Sequence, residues 1–444
     1  MLLTPSEAKA VTDRLLAQSK ADHCIVRLEG GERTNLRFAR GSATTNGNQS
    51  SLRVTIESQF GRRAGAASVG GLDEQALEAA IARSEEIARS APENRELLPP
   101  VGPQSYPVGA GYDAPTAAIR AERLAVVSKP VIDEASRRAI DVAGYCMARH
   151  GFDAMATSAG QFAHDAQTGA EFTVTARNKS GTWSGWAGRS DTRFDSLDPA
   201  RLGRRAIDKA AYTAPPVRLE AGRYTVILES SAVSDLVMWM LWNMNARDAD
   251  EGRSVFSRRG GGNRLGDKLF QDAVTIFTDP GDPVAPERVF GDEGFPSRRT
   301  VWVQDGVLQN LFYSRFWAQE KSREPIARPG SFVMAGGTTT LDDMIRATRR
   351  GVLVTRFWYM RMVDAQKLLV TGLTRDGNFL IEDGRIIAPA LNFRFNESPV
   401  AVLANVLAIG PSERTRGGER EDSVIAAPPL LVNDFNFSST SEAI

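Results

Sequence analysis

Few residues in this chain have side chains that could bind a transition metal or act as a nucleophile. The sequence holds three histidines, His23, His150 and His164, and two cysteines, Cys24 and Cys146. None of these residue types occurs beyond position 164. His150 and His164 could meet on adjacent strands, although surface or structurally bonded histidines are the more common case. Cys146 stands beside apolar residues, which is typical of a buried thiol.

Other polar patterns give weaker indications of chemistry. Gly260–Gly266 has the look of a phosphate-binding loop, but it lacks the Gly-Lys-Ser/Thr ending and a preceding buried strand. The sequence has no Gly-x-Ser-x-Gly turn for a catalytic serine. Carboxylates cluster at 248–251 and 292–293, where they could bind a hard cation, although solvated loop acids are the more common interpretation. These patterns predict no complete catalytic centre.

Aromatic and amide side chains give a stronger indication of a binding surface. A buried strand at Arg223–Leu228 leads into a predicted helix at Glu229–Arg247 that carries Met and Trp at helical spacing. Consecutive aromatics follow at Phe357–Met362, and a one-sided strand cannot bury all of them. Asn392–Pro399 mixes charged and amide residues with apolar ones, which predicts a polar network that either fixes the last helix or lines a cleft.

Because Trp, Met and Arg are enriched in interfaces, we predict a peptide groove or a subunit interface from these segments, with plain core as an equal alternative. The predicted residues are Trp239, Asn243, Trp358, Tyr359, Arg361, Arg394, Asn396 and Glu397.

The elements that must position these residues suggest an α+β protein with two domains, at 1–215 and 216–444. In the first domain, helices are predicted at 5–20, 73–90, 117–136 and 199–211. The segments between them predict an antiparallel sheet, with turns at Gly30-Gly31, Asn46–Asn48 and Gly61. The boundary is placed at Ala214–Pro216 because of its two prolines.

The second domain is predicted to be β-rich and barrel-like, with the Met/Trp helix inside it. Asp305-Gly306 and Asp383-Gly384 each stand between apolar runs and predict tight hairpins. The apolar tail at Pro428–Phe437 is predicted to pack as a strand, after a last helix at Ser398–Val406. Residues 411–424 are charged and rich in glycine, and a mobile loop is predicted there.

Composition limits the classes of partner. The 444 residues hold 54 Lys and Arg against 54 Asp and Glu, and a neutral chain argues against nucleic acid as the main partner. No apolar run is long enough to cross a membrane. The two cysteines and the absence of a secretion signal at the first residues predict a reducing, cytoplasmic location.

Several segments of the second half resemble the TldD/PmbA family. The strand and helix at 223–247 are followed by Gly252–Phe256, as in that family. Asp292–Thr300 (DEGFPSRRT) is similar to its D-x-E-G-x-P-x-R-R-T segment, shortened by one residue. Thr348–Thr355 is similar to its K-R-G-x-x-x-T strand, and Asp376–Gly384 to its strand and hairpin near the C-terminus.

The resemblance implies what is missing. In the active metalloprotease subunits of this family, the helix bears an H-E-x-x-x-H zinc motif, and a cysteine on a strand is the third ligand. Counting back from Ser254, the matching positions are Val237, Met238 and Trp242, and the cysteine position is Val354. None of these side chains can bind zinc, whereas catalytic zinc needs about three protein ligands.

The resemblance therefore implies a TldE/PmbA-like subunit without catalytic residues or a metal of its own. We predict that it pairs with a TldD-like paralogue that holds the zinc and trims or degrades peptides and unfolded proteins. One alternative is a homodimer that binds peptides or other ligands without hydrolysing them, and another is an enzyme with new chemistry in the same cleft. The family's older association with modulation of DNA gyrase gains no support from the neutral composition.

Overall fold

The N-terminal half forms a six-stranded antiparallel sheet with flanking helices. The computed structural model describes residues 2–418 and 424–441. The strands are β1 (His23–Ala39), β2 (Ser42–Phe60), β3 (Arg63–Gly70), β4 (Asp141–Thr157), β5 (Phe162–Arg177) and β6 (Ser184–Asp191). The helices are α1 (Pro5–Gln18), α2 (Glu74–Ser90), α3 (Ala114–Ala117), α4 (Ala121–Arg137) and α5 (Pro199–Ala210). The strand order is β3-β2-β1-β4-β5-β6.

The helices cover one face of this sheet. Side chains alternate between the two faces of a strand, and the even-numbered core residues of β1 and β4 share one face. Near one end of β1, Val26 and Leu28 pack with α1 and α2. Near the other end, Leu36 and Phe38 pack with α4 and α5. The opposite face carries the odd-numbered residues of both strands, and it faces the C-terminal half.

Two of the turns predicted in this sheet are wrong. Strand β1 runs without interruption through Gly30-Gly31, and β2 runs through Asn46–Asn48. The chain reverses instead at Arg40-Gly41, where both residues have positive φ. Position 31, inside the strand, requires glycine because a Cβ there would stand 2.6 Å from the carbonyl oxygen of His150 on β4. The four predicted helices are present, the third being divided between α3 and α4.

The C-terminal half contains a closed barrel and a second sheet. The helices are α6 (Ser230–Trp242), α7 (Ala246–Asp250), α8 (Arg315–Glu320), α9 (Leu341–Ala347) and α10 (Pro399–Ala404). The first strands are β7 (Gly222–Leu228), β8 (Ile276–Thr278), β9 (Thr300–Gln304), β10 (Val307–Leu308), β11 (Ser331–Met334), β12 (Arg350–Asp364) and β13 (Leu369–Glu382). The others are β14 (Arg385–Ala390), β15 (Asn392–Glu397), β16 (Val406–Ile409), β17 (Glu413–Thr415), β18 (Val424–Ala427) and β19 (Leu430–Ser441).

The barrel closes because β12 and β13 pair at the ends of the path β12-β7-β19-β15-β13. Phenylalanine rings fill part of its core, and the rings of Phe393 and Phe437 are stacked with centroids 4.2 Å apart. The ring of Phe357 on β12 lies 4.5 Å from that of Phe395 on β15. The architecture is therefore the predicted combination of a helix-flanked antiparallel sheet and a barrel.

Helix α6 lies in the core shared by the barrel and the second sheet. That sheet has the order β10-β9-β8-β11-β18-β17. Leu236 and Met240 of α6 belong to one apolar cluster with Val352 of the barrel and Phe332 of the second sheet. The helix that the sequence singles out is thus central to the C-terminal half.

Several local predictions for this half are confirmed. The turns at Asp305-Gly306 and Asp383-Gly384 connect β9 to β10 and β13 to β14, with positive φ at both residues of each turn. The apolar tail forms β19, which pairs with β7 and β15 inside the barrel. The predicted mobile loop at 411–424 contains β17, and its residues 419–423 lie outside the described part of the chain. In the described ranges, no helix has the length and apolar character that a membrane span requires.

Candidate functional site

Helix α6 is buried on nearly all sides. Its apolar residues are not confined to one stripe, which is typical of a helix inside a core rather than at a surface. Ser230 to Met238 are all buried, whereas Trp239 and Trp242 near its end are partly exposed. The helix ends at Asn243, whose side-chain amide donates to the carbonyl oxygen of Trp239 at 2.7 Å.

Three of the four positions that the resemblance aligns with zinc ligands or the general base are core residues. Val237, Met238 and Val354 are only 1%, 3% and 0% exposed and belong to the same apolar cluster. Trp242 is partly buried and packs against that cluster. All four positions thus belong to or border one large apolar core. Aliphatic, thioether and indole side chains there do not fit a catalytic zinc ion. No group of three metal-binding side chains occurs elsewhere among the described residues.

A cavity of about 240 Å³ lies beside Trp242. Its apolar lining includes Phe290, Phe295, Trp302 and Ile326. Part of the segment that resembles the family's D-x-E-G-x-P-x-R-R-T motif lines it as well, including Pro296 and Arg298. Trp242, which the resemblance aligns with a metal ligand, and this family-like segment thus border the same space.

The charged groups at this cavity differ in whether they have partners. Arg288 pairs with Asp153 of the N-terminal sheet. Glu287 accepts hydrogen bonds from the backbone N–H groups of Gly330 and Ser331 at 2.9 and 3.0 Å.

Arg298 and Arg328 have no carboxylate partner among the described residues, and both are exposed. The Arg328 guanidinium lies 5.6 Å from the centroid of the Trp242 ring. The cavity therefore combines aromatic walls with two guanidinium groups that form no ion pair, the arrangement expected of a site for a partly apolar anion.

The N-terminal sheet holds the family-like segment in place. The Arg27 guanidinium donates to the carbonyl oxygen of Asp292 at 2.6 Å, and the Tyr106 hydroxyl donates to that of Gly294 at 2.7 Å. Gly294 has a φ of 81°. A Cβ at Gly294 would stand 3.1 Å from Gln161 and Met155 side-chain atoms, so this turn fits tightly against the sheet.

The other predicted groove residues lie elsewhere. Trp239 neighbours Trp242 on α6, with ring centroids 6.2 Å apart. Trp358, Tyr359 and Arg361 lie on β12 of the barrel. Trp358 stands between two guanidinium groups, at 5.4 Å from Arg356 and 5.5 Å from Arg375.

Tyr359 is the most conspicuous residue of this strand. It is 55% exposed and has a φ of 55°, which is unusual for an aromatic residue. The register between β12 and β13 shifts between Trp358 and Arg361, so Tyr359 lies in a bulge. The Arg361 guanidinium covers its ring at 4.2 Å. Bulges of this kind re-aim side chains and are often found near functional surfaces.

Arg394, Asn396 and Glu397 lie on β15 of the barrel. Arg394 is exposed and Asn396 is partly buried. The buried Glu397 accepts hydrogen bonds from the backbone N–H groups of Ser398 and Asn436, at 2.8 and 3.1 Å. Burial raises the pKa of Glu397, while these two bonds favour its charged form. Of the two roles considered for this segment, the contacts of Glu397 favour fixing the chain at the start of α10.

A buried ionic cluster at the start of α6 is absent from the sequence predictions. Glu229, the N-terminal cap position of α6, makes no capping hydrogen bond with its side chain. Its carboxylate accepts instead from Lys209 at 2.8 Å and Arg205 at 2.9 Å, both on α5. The Lys209 ammonium also donates to the Thr355 hydroxyl at 2.8 Å and the Trp186 carbonyl oxygen at 3.3 Å.

The charges of this cluster depend on one another. Burial lowers the pKa of Lys209 to about 8, against the opposing attraction of Glu229. Burial alone would raise the pKa of Glu229, but the charges of Arg205 and Lys209 outweigh it and hold that pKa below its usual range. A lysine in such surroundings resembles an activated group, yet Thr355 and Glu229 are buried as well, so the cluster has a structural role.

A second buried ion pair joins the same two halves. Arg356 on β12 pairs with Asp376 on β13, and Asp376 accepts a hydrogen bond from Ser184 of β6 at 2.8 Å. The Arg356 guanidinium also lies 4.9 Å from the ring of Trp186 on β6. Both clusters therefore connect the barrel to the edge of the N-terminal sheet.

The two histidines do not meet, and each has the structural partner that the sequence analysis treats as the more common case. Strands β4 and β5 are adjacent, but His150 pairs with Thr168 and His164 pairs with Ala154. The two positions are therefore four residues apart along the ladder, about 13 Å. Each imidazole has a backbone partner, Ala117 for His150 and Leu3 for His164.

The cysteines and the acidic clusters have ordinary structural surroundings. Burial raises the pKa of Cys24 to about 11 and that of Cys146 to about 12, so both thiols stay protonated near neutral pH. Asp248 pairs with Arg253 at 2.8 Å, and Glu293 accepts from the backbone N–H of Arg315 at 3.0 Å. Asp250 accepts from Asn263 at 2.7 Å and from Trp317 at 2.8 Å, and Glu251 pairs with Arg247 at 3.0 Å.

Solved structures share this fold over nearly the whole chain. TldE of Thermococcus kodakarensis aligns with a TM-score of 0.83 at 16% identity and covers 96% of this chain and 99% of its own. A protein of Bacteroides thetaiotaomicron, crystallised as a candidate modulator of DNA gyrase, aligns with a TM-score of 0.82 at 20% identity, covering 97% and 98%. The helix-flanked sheet and barrel thus form the architecture that these proteins share.

Sequence comparison places the chain within a family. The model of the PmbA/TldA metallopeptidase central domain matches residues 113–212, and that of the C-terminal domain matches residues 221–439. The chain therefore belongs to the TldD/PmbA family of metallopeptidases. A Methanothermobacter thermautotrophicus protein named "Metalloprotease" is 26% identical over 237 residues, 49% of each chain. The chain thus spans about half the length or less of the curated relatives it matches.

Proposed function

We propose that this chain is a non-catalytic subunit of a heterodimeric zinc metalloprotease of the TldD/PmbA type. In this proposal, a paralogue with an intact H-E-x-x-x-H helix holds the zinc ion and hydrolyses peptides or unfolded proteins. The present chain completes the enclosure around the substrate. The observation that carries the proposal is the replacement of the zinc ligands and the general base by Val237, Met238, Trp242 and Val354 in a family of metallopeptidases.

The character of these replacements supports a stable role without catalysis. Val237, Met238 and Val354 contribute to the largest apolar core of the C-terminal half. Burying an apolar side chain stabilises a fold by ~1.5–3 kcal/mol. These three residues therefore stabilise the core, whereas polar zinc ligands at the same positions would not. The fold is kept and the ligands are gone, which supports a subunit that acts through its surfaces.

The bulge on β12 is the surface that we propose for pairing with the paralogue. Tyr359 and Val363 are each 55% exposed on this strand. Exposed aromatic residues next to arginine are common in the centres of protein interfaces, and Arg361 covers the Tyr359 ring.

The first prediction concerns zinc and activity. The purified chain alone should hold no stoichiometric zinc and show no chelator-sensitive peptidase activity. Mixed with a histidine-bearing paralogue, it should co-elute in gel filtration and raise zinc-dependent hydrolysis of unfolded peptides. Tyr359→Ser should weaken co-elution while leaving the melting temperature unchanged, whereas Arg349→Gln, an exposed arginine elsewhere, should leave both unchanged.

Two results would count against this assignment. Stoichiometric zinc together with hydrolysis by the isolated chain would show that it is a complete enzyme. A homodimer whose presence changes neither the elution nor the activity of the paralogue would favour the second candidate, a peptide-binding homodimer without hydrolase activity. The cavity beside Trp242 is the observation that supports that candidate.

A further inference from the structure

We infer that the cavity beside Trp242 binds the carboxyl end of an extended peptide. The last side chain of the peptide is apolar and packs against the aromatic walls, and its terminal carboxylate is bound by Arg298 and Arg328. The inference rests on the proposed function insofar as it takes a peptide to be the ligand. Beyond the proposed function, it assigns the Trp242 cavity as the place where this chain contacts the peptide, and the carboxyl end as the part of the peptide that is recognised.

The size and lining of the cavity suit one apolar side chain and its carboxylate. Its volume is about 240 Å³, and Trp242, Phe290, Phe295 and Trp302 contribute to its walls. Trp302 is almost fully buried, and its indole N–H donates to the Thr278 hydroxyl at 3.3 Å. This wall is therefore fixed before any ligand binds, which lowers the entropy cost of binding.

The charges of the cavity favour an anion. Three arginines and two carboxylates line it. Arg288 pairs with Asp153, and Glu287 accepts backbone N–H groups, so both are already engaged. Arg298 and Arg328 have no carboxylate partner in the described residues.

Arginine binds carboxylates through paired N–H donors. Asp292 lines the cavity as well, and the Arg288–Asp153 pair contributes no net charge. Because guanidinium groups are hydrogen-bond donors only, Arg298 and Arg328 can bind a carboxylate but not an ammonium group, which favours the carboxyl end of a chain over its amino end.

A larger neighbouring groove argues for a peptide rather than another carboxylate. A larger space of about 1090 Å³ adjoins the cavity and shares Glu287, Arg288 and Gly330 with it. It runs across the face of the N-terminal sheet that the helices leave open, where odd-numbered residues of β1 and β4 lie. Its lining is polar, with Arg33, Arg53 and Gln167 among its residues. A polar groove suits the hydrogen-bonding backbone of a polypeptide, whereas an acyl chain would gain nothing there.

The second prediction tests this site on the isolated chain by fluorescence anisotropy. The probe is an N-terminally labelled, Gly/Ser-rich octapeptide that ends in leucine with a free carboxylate. Its matched partner is the same peptide with a carboxyl-terminal amide. We expect the acid to bind at least tenfold more tightly than the amide. A peptide acid that ends in serine should bind more weakly than the one that ends in leucine.

Variants separate the two parts of the site. The double substitution Arg298→Gln with Arg328→Gln should abolish the preference for the acid over the amide. Trp242→Leu should lower the affinity for the acid and for the amide by the same factor and keep the preference for the acid. Arg259→Gln is the matched control, since Arg259 is also an exposed arginine and does not line the cavity. It should bind as the unchanged chain does, and a melting curve for each variant checks that the fold is intact.

Several outcomes would overturn the inference. Equal affinity for the acid and the amide, or an unchanged preference in the double arginine variant, would show that Arg298 and Arg328 do not bind the terminal carboxylate. Absence of binding at millimolar peptide concentration would show that the cavity does not bind peptides. Displacement of the probe by dodecanoate as readily as by unlabelled peptide acid would assign the site to fatty carboxylates instead. None of these results depends on the paralogue, so a failure here is distinguishable from a failure of pairing or of zinc-dependent hydrolysis.

Discussion

At the scale of single residues, Lys209 carries the strongest stability prediction. Its ammonium joins three acceptors, on Glu229, Thr355 and Trp186, and burial lowers its pKa to about 8. Lys209→Met, the third prediction, removes these bonds and leaves Arg205 as the remaining partner of Glu229. Breaking a buried ion pair costs ~3–5 kcal/mol. Because Arg205 remains, we expect a loss of about 3 kcal/mol in the free energy of unfolding, measured with urea at pH 7.

The control and the pH dependence make this prediction specific. Lys129→Met removes an exposed pair with Asp133 at a similar distance of 2.6 Å, and it should cause no measurable loss. The lowered pKa of Glu229 stabilises the fold above about pH 4, its value in unfolded chains, and this contribution disappears as the pH falls through the folded value. Since Lys209 supports the charged form of Glu229, the stability difference between variant and parent should shrink as the pH falls from about 4 through the folded pKa of Glu229. A constant difference down to pH 3 would contradict the assigned role.

At the scale of elements, the long strands β1 and β4 depend on close contact between their backbones. Gly31 pairs with Gly151, and a Cβ on Gly31 would stand 2.6 Å from the His150 carbonyl oxygen and 3.0 Å from the Gly151 Cα. Backbone atoms in the middle of a sheet cannot move aside easily. As the fourth prediction, Gly31→Ala should therefore destabilise the chain by ~1–3 kcal/mol, the usual cost of overpacking, measured as a lower urea midpoint.

Gly47 provides the matched control on the neighbouring strand. It lies in β2 opposite Asn35, where an added Cβ would stand 3.5 Å from the Asn35 amide nitrogen, an ordinary contact. Gly47→Ala should be neutral or stabilise by ~0.4–1 kcal/mol, because alanine has fewer conformations in the unfolded chain. Equal losses for both substitutions would mean that strand propensity, not the approach to β4, explains the effect at Gly31.

The same elements show how far sequence reasoning reaches. Asp305-Gly306 and Asp383-Gly384 determine their hairpins locally, and the helix pattern of α6 is also local, so these elements can be predicted. The glycines at 30–31 look like a turn by the same local rule, yet pairing on both sides keeps the chain extended there. Pairing between distant strands is not visible in a local window.

The candidate site was predictable only in part. The family motif locates Trp242 and the segment at 292–300, both of which border the cavity. Arg328 reaches the same cavity from a segment with no distinctive pattern. The partners of Lys209 are 20 and 146 residues away in the sequence. The one local signal was an acidic residue, Glu229, at the junction between a buried strand and a buried helix.

At the scale of the whole molecule, the two halves share buried and polar contacts. Trp183 of the N-terminal half packs at 5.4 Å from Phe379 of the barrel, in a common apolar cluster. Lys209 pairs with Glu229 across the predicted boundary at 214–216. On the opposite side, Tyr106 donates to the carbonyl oxygen of Gly294. Because a partly apolar interface restricts the relative motion of domains, we expect the two halves to unfold together.

The fifth prediction follows from this shared interface. Calorimetric unfolding of the intact chain should show one transition, with a calorimetric enthalpy close to the van't Hoff enthalpy. The fragment 1–215 exposes Trp183 and leaves Lys209 without Glu229, so it should unfold at a clearly lower temperature than the intact chain. Lys209→Met, which weakens the contact between the halves, should broaden or split the transition, whereas Lys129→Met should leave it single.

Two separate transitions in the unchanged chain, or a fragment as stable as the whole, would show that the halves fold independently. In that case the groove that connects the N-terminal sheet to the Trp242 cavity would vary in width, and the peptide affinity of the site should then fall as the halves separate on heating.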